Sequence, residues 1–244
     1  MLAAYRQAAA ERRILGIPPL PLNAAQTQAL TALLQDPPAG EEDLLLELLR
    51  ERIPPGVDEA AYVKATWLSA VATDTVASPL VSPLDATQLL GTMVGGYNVA
   101  ALLELLESPD EAIAACAAAG LSGTLLVYDS CNDLLERAAT NPFARRVVNS
   151  WAAGEWFSRK PPLPEELTVT VFKVAGETNT DDLSPATHAT TRPDIPLHAL
   201  VMLERRDPQA LVTIARLKER GHPVAYVGDV VGTGSSRKSA INSL

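Results

Sequence analysis

Cysteine is scarce in this sequence of 244 residues, which contains two, Cys116 and Cys131. They form no CxxC pair and have no His or Cys beside them, so neither a disulfide framework nor a zinc knuckle can be written from them. Both read as small buried apolar residues in helical stretches. Only three histidines are present, and His188, His198 and His222 each read as structural or solvent-facing. No apolar run approaches the roughly 20 residues of a membrane span. The first residues, MLAAYRQ, open polar and amphipathic without an apolar signal core, so the expectation is a soluble, cytoplasmic chain. Positive charge is also in deficit. Lys and Arg number 20 against 29 Asp and Glu, for a net charge of -9. The summed field repels phosphate, which excludes a general nucleic-acid coat or an anionic-membrane binder while leaving room for a local basic site. Hydrophobic residues supply 47% of the chain, enough core for one large domain or two ordinary ones.

Residues 1–160 follow one grammar, a short polar cap, often with a proline, and then a helix rich in leucine and alanine. Asn23 with Gln26 has the spacing of a capping box, and Leu30, Leu33 and Leu34 supply an apolar face. Glu41, Glu42 and Asp43 place negative charge where a helix dipole favours it. Asp58 caps a helix whose predicted inward stripe is Ala61, Tyr62, Ala65, Leu68 and Val71. Ser82-Pro83, Ser108-Pro109 and Asn141-Pro142 are three more starts, and Ser108 with Glu111 makes a second capping-box spacing. The pattern predicts seven or eight short helices and no strand. Cap-to-cap spacings of 26 and 33 residues point to stacked helical hairpins, an irregular solenoid, with a plain multi-helix domain as the alternative. Gly95-Gly96-Tyr97-Asn98 reads as a tight turn between helices.

After Lys160 the grammar changes. Pro161, Pro162 and Pro164 make a stiff connector, and residues 167–174, LTVTVFKV, alternate as a strand does. A polar loop is expected over 176–185 and on to Arg192, then a short helix near 197–203. A clearer helix starts at Asp207-Pro208 and stops at Gly221. Residues 223–227 form a second strand, leading into a glycine turn at 232–234 and a helix start. The whole reads as an all-α part followed by α/β.

The turn Gly232-Thr233-Gly234-Ser235-Ser236-Arg237-Lys238 concentrates backbone donors, two hydroxyls and a guanidinium, a nest for phosphate or carboxylate. A P-loop needs glycine directly before Lys-Ser, and Arg237 stands there instead. A dinucleotide fingerprint wants a third glycine at that same position. Carboxylate binding, with a serine placed for acid–base work, uses every polar residue present. A structural turn without a ligand stays open beside it.

Residues 178–185 (TNTDDLSP), 192–198 (RPDIPLH) and 226–239 (YVGDVVGTGSSRKS) resemble the bacterial aconitate hydratases of the B type, as do 91–98 (GTMVGGYN) and 54–64 (PPGVDEAAYVK). The resemblance covers essentially the whole chain. It implies a HEAT-like helical domain at 1–160 and the opening, truncated part of a swivel domain at 161–244. Further domains would hold a [4Fe–4S] cluster through cysteines that this chain does not contain. It implies a hydro-lyase of the tricarboxylic acid cycle that interconverts citrate and isocitrate through cis-aconitate, with 2-methylisocitrate as a related substrate. By matching position, Ser235 would be the base, with Asp181 orienting it or an arginine. Arg192, Ser235, Ser236 and Arg237 would hold substrate carboxylates. Alone, the chain is expected to lack cluster and activity. The resemblance further implies self-association through the helical part and messenger-RNA binding in the cluster-free form, for which the acidic composition gives no independent support. The competing class is a non-catalytic helical adaptor whose α/β tail is incidental.

Overall fold

The computed structural model describes residues 1–244 except Leu125, Leu126, Ser236, Arg237 and Leu244, and gives Lys238 and Ser239 by their backbone alone. Two compact units emerge, one of Met1–Ala9 with Pro19–Pro161, the other of Ala10–Pro18 with Pro162–Leu244.

Ten helices are described in the first stretch of chain, α1 Leu2–Ile14, α2 Ala24–Gln35, α3 Glu42–Glu51, α4 Glu59–Ala72, α5 Pro83–Gly91, α6 Val99–Leu105, α7 Glu111–Ser122, α8 Ser130–Arg137, α9 Pro142–Ala152 and α10 Glu155–Ser158. Their starts are local chemistry. Asn23 and Gln26 form the capping box, Asp58 accepts the Ala61 N–H at 3.1 Å, and Asn141 takes two N–H groups with Pro142 at the first helical position. Ser82 caps α5 in a box closed by Asp85. The Ser108 box is not formed. Asp110 caps α7 instead, accepting the Ala112 N–H at 2.8 Å, while Ser108 accepts the N–H of Asp110. Two cap-competent residues flank Pro109, and the helix takes the later one.

Helices α2, α4, α5, α7 and α9 pack in succession, with α3, α6 and α8 laid against them. Leu30, Leu34, Leu45, Leu48, Leu49, Leu68, Leu90, Leu102 and Leu121 are completely buried between them, each worth about 2 kcal/mol of transfer free energy. Where α5 crosses α7 the backbones nearly touch, since a Cβ on Gly120 would stand 3.0 Å from the Gly91 Cα. The predicted stripe of α4 needs one correction. Tyr62 is exposed and meets Tyr97 edge-on at 5.3 Å, whereas Lys64 and Trp67 are buried in its place. Both cysteines are half-buried rather than core residues, and burial pushes the Cys116 thiol above its ordinary pKa.

The second unit contains β1 Thr170–Lys173, β2 Glu177–Asn179, α11 Thr180–Leu183, α12 Ile195–Ala199, α13 Ala210–Lys218, β3 Val224–Val227, β4 Val230–Thr233 and α14 Lys238–Asn242, with a 3-10 turn at Ala186–His188. Strand β1 pairs in parallel with β3, and β2 with β4. Phe172, Val174, Leu183, Met202, Leu203 and Ala210 form its core. The chain is therefore all-helical first and mixed α/β after. The loop expected over 176–185 is in fact a strand followed by a helical turn.

Candidate functional site

The two short parallel ladders are joined end to end through a pair of bends. At one bend Gly176 adopts φ +78, and at the other a Cβ on Gly228 would stand 2.9 Å from the Val231 side chain and 3.2 Å from the Val174 carbonyl. The bends are tied reciprocally, because the Asp229 carboxylate accepts the Gly176 N–H at 2.7 Å and the Asp229 N–H donates to the Gly176 carbonyl. Arg206 adds a brace, donating to the carbonyls of Ala175 and Glu177 and pairing with Asp182.

Beyond the bends, the register of β2 on β4 slips. Thr178 faces Val231 but Asn179 faces Thr233, so Gly232 is an extra residue, with φ +87. The bulge re-aims the end of β4. Thr233 donates its hydroxyl to the Glu177 carboxylate, and Gly234, at φ +98, closes on the start of α11. Ser235 follows and is exposed. Ser236 and Arg237 lie outside the described residues. The helix that follows the turn, α14, is described over Lys238–Asn242.

Helix α11 begins in a capping box that the sequence carried as Asn-x-x-Asp. Asn179 accepts the N–H groups of Asp181 and Asp182 at 2.9 Å each, and Asp182 returns a bond to the Asn179 N–H at 3.1 Å. Asp182 is thereby committed to structure. Asp181 is exposed and helps line a recess of about 210 Å³ with Asn179, Pro185, Leu203 and Glu204. Arg192 is half-buried, and its Nη1 donates to the Leu197 carbonyl at 3.2 Å. Two residues on, Asp194 caps α12 and pairs with Arg12. Helix α14 packs against both α11 and α12. The segments that carry Asp181, Arg192 and the glycine turn, far apart in sequence, therefore gather around α14.

Of the histidines, one sits on α12 itself. His198 is buried with Nε2 2.9 Å from the Pro185 carbonyl oxygen, His188 pairs with Glu204 at 2.7 Å, and His222 is exposed. Among the described residues no group of His, Cys, Asp or Glu is arranged to hold a metal ion, and no helix is long and apolar enough to cross a membrane. The sequence reading missed Arg12, Thr180 and Asp194 as supports of this region. Local signals existed for two of them, the Asn179/Asp182 capping-box spacing around Thr180 and the Asp194-x-Pro196 helix start.

Two family models match the chain, one described as the aconitate B N-terminal domain over residues 4–157 and one as the aconitate hydratase 2 N-terminus over residues 169–244. The chain is 64% identical over 244 residues to a protein of Synechocystis sp. named aconitate hydratase B. It is 57% identical over 255 aligned positions to the Pseudomonas aeruginosa protein of that name, and 55% identical to the Escherichia coli one. Each match takes in all of this chain but only 28% or 29% of the relative's length.

Proposed function

The chain belongs to the aconitate hydratase B family, and on that premise we propose that it supplies the proton-transfer and carboxylate-binding side of a citrate–isocitrate isomerase. Ser235 is the base that removes the proton from substrate carbon. A serine hydroxyl is far too weakly acidic to do this unaided, so its anion must be held by N–H donors of the glycine turn and by Arg237. Arg192, Ser236 and Arg237 hold the carboxylates, a task suited to the planar guanidinium fork. Asp181 orients Ser235 or an arginine. In this reading residues 1–160 are a HEAT-like platform that can self-associate, residues 161–244 open a swivel domain, and the enzyme is cytoplasmic.

A [4Fe–4S] cluster finds no ligand set among the described residues. The part proposed for this chain is therefore protein chemistry alone, the binding of a tricarboxylate and the movement of one proton. Departure of the substrate hydroxyl is assigned to chemistry outside this chain.

One observation carries the reading, the gathering of α11, α12 and the glycine turn around α14, which brings the Asp181, Arg192 and Ser235 segments into one neighbourhood. An incidental tail on a helical adaptor has no need of that convergence. The test is a chimera in which the Synechocystis sp. relative has the segment it shares with this chain replaced by residues 1–244. It is expected to interconvert citrate and isocitrate. Ser235→Ala is expected to abolish exchange of the substrate C–H proton with solvent while citrate still binds. An inactive but folded chimera, or full turnover by the Ser235→Ala variant, would sink the assignment.

A further inference from the structure

The second unit includes residues 10–18, the end of α1 and the segment after it. Within this unit Arg12 grips Asp194 with both terminal nitrogens, Nη2 to Oδ1 at 2.6 Å and Nη1 to Oδ2 at 3.1 Å. Its Nε donates to the Pro18 carbonyl at 2.6 Å, so all three guanidinium nitrogens are engaged. The two side chains are only 13% and 24% exposed, which takes the pair out of the weak class of solvent-exposed ion pairs. Asp194 Oδ1 also accepts the Leu197 N–H at 3.1 Å, and the Leu197 carbonyl accepts from Arg192 Nη1 at 3.2 Å. A continuous polar chain thus runs from Arg12 through Asp194 and Leu197 to the Arg192 guanidinium.

We infer that Arg12 is a positioning residue for Arg192, holding the segment from 192 into the start of α12 so that the Arg192 guanidinium is set before substrate arrives. The inference rests on the carboxylate-binding role proposed for Arg192. Its physical basis is preorganisation. A long side chain on a loop loses rotamer freedom when it binds, and a loop already pinned at Asp194 incurs less of that loss on binding. Asp194 is the hinge of the arrangement because one carboxylate serves both the ion pair and the helix cap.

The test uses the active chimera. Arg12→Ala and Asp194→Asn, the latter keeping a capping acceptor, are each expected to raise KM for citrate roughly three- to tenfold, with kcat within about twofold of the parent. The double variant is expected to be no worse than the more impaired single. Arg192→Ala is the control. If it raises KM while Arg12→Ala and Asp194→Asn leave KM unchanged, Arg12 is merely structural and the inference is overturned. Additive losses in the double variant overturn it too, since the two residues then act separately. If Arg192→Ala itself leaves KM unchanged, the proposed site fails first. Should Arg12→Ala not fold, Asp194→Asn carries the same expectation.

Discussion

Gly234 backs onto Thr180, and a Cβ built on Gly234 would stand 3.1 Å from the Thr180 hydroxyl oxygen with the backbone at φ +98. The turn that carries Ser235 is therefore seated on the first residue of α11. Gly234→Ala meets two obstacles, the left-handed conformation and the crowding. The conformation alone costs about 1–2 kcal/mol. Gly234→Ala is expected to lower the urea midpoint of the chain and to reduce turnover in the chimera. Adding Thr180→Ala should recover the crowding part and leave the conformational part. No recovery in the double variant would show that the contact with Thr180 is unimportant.

Gly95 and Gly96 are neighbours with opposite demands. A Cβ on Gly95 would fall 1.9 Å from the Gly56 carbonyl oxygen, whereas one on Gly96 meets nothing within 4 Å but sits at φ +93. Backbone cannot swing aside as a side chain can. Gly95→Ala is expected to destabilise the helical unit by about 3 kcal/mol or more, in the range that follows severe steric conflict. Gly96→Ala should cost about 1–2 kcal/mol. Thermal unfolding followed by helical circular dichroism would rank them, and equal losses would contradict the close approach of the two loops.

The hydrogen bonds from Arg12 hold the Asp194 carboxyl below its ordinary value of 3.8, and the Leu197 N–H works in the same direction against burial. The unfolded chain then binds this proton more readily than the folded one. The pair's contribution is present above the ordinary carboxylate value and is lost as pH falls through the depressed folded value. Urea unfolding of the parent and of Asp194→Asn is expected to differ at neutral pH and to converge in strong acid. A difference independent of pH would sink this account.

Lys64 is buried in α4, and desolvation lowers its pKa below 10.5 although Glu51 partly opposes the shift. The folded state therefore disfavours the protonated amine. That cost is fully present below the lowered folded value and fades as pH rises from there towards the unfolded value. Lys64→Met is expected to stabilise the chain at neutral pH by about 1 kcal/mol or more, with the gain shrinking in alkali. A loss of stability at neutral pH would show that the ammonium makes contacts worth more than its desolvation cost.

Legibility followed the range of the forces. The caps at Asn23, Asp58, Ser82 and Asn141 could be read because a cap is a bargain among four consecutive residues. Ser108 was misread for the same local reason, since Asp110 competes for the role two residues later. Strands β2 and β4 were not legible. Glu177–Asn179 is polar and Val230–Thr233 contains a glycine, so neither carries the apolar alternation of an isolated strand signal, and each exists by pairing with the other. The burial of Lys64 and the exposure of Tyr62 show the same limit within a helix, because periodicity gives a face but not its width.

By itself the sequence determined that this is an acidic helical array followed by an α/β segment, and its motifs carried the family. Those properties live in composition, in capping over a few residues, and in strings long enough to be specific. The glycine turn was legible as an anion nest for the same reason. Only the tertiary structure decided that Gly234 rests on Thr180, that α11, α12 and α14 gather, and that Arg12 reaches Asp194 across 182 positions of chain. Such contacts form where a folded backbone happens to bring donors and acceptors together, and no spacing along the chain encodes that distance.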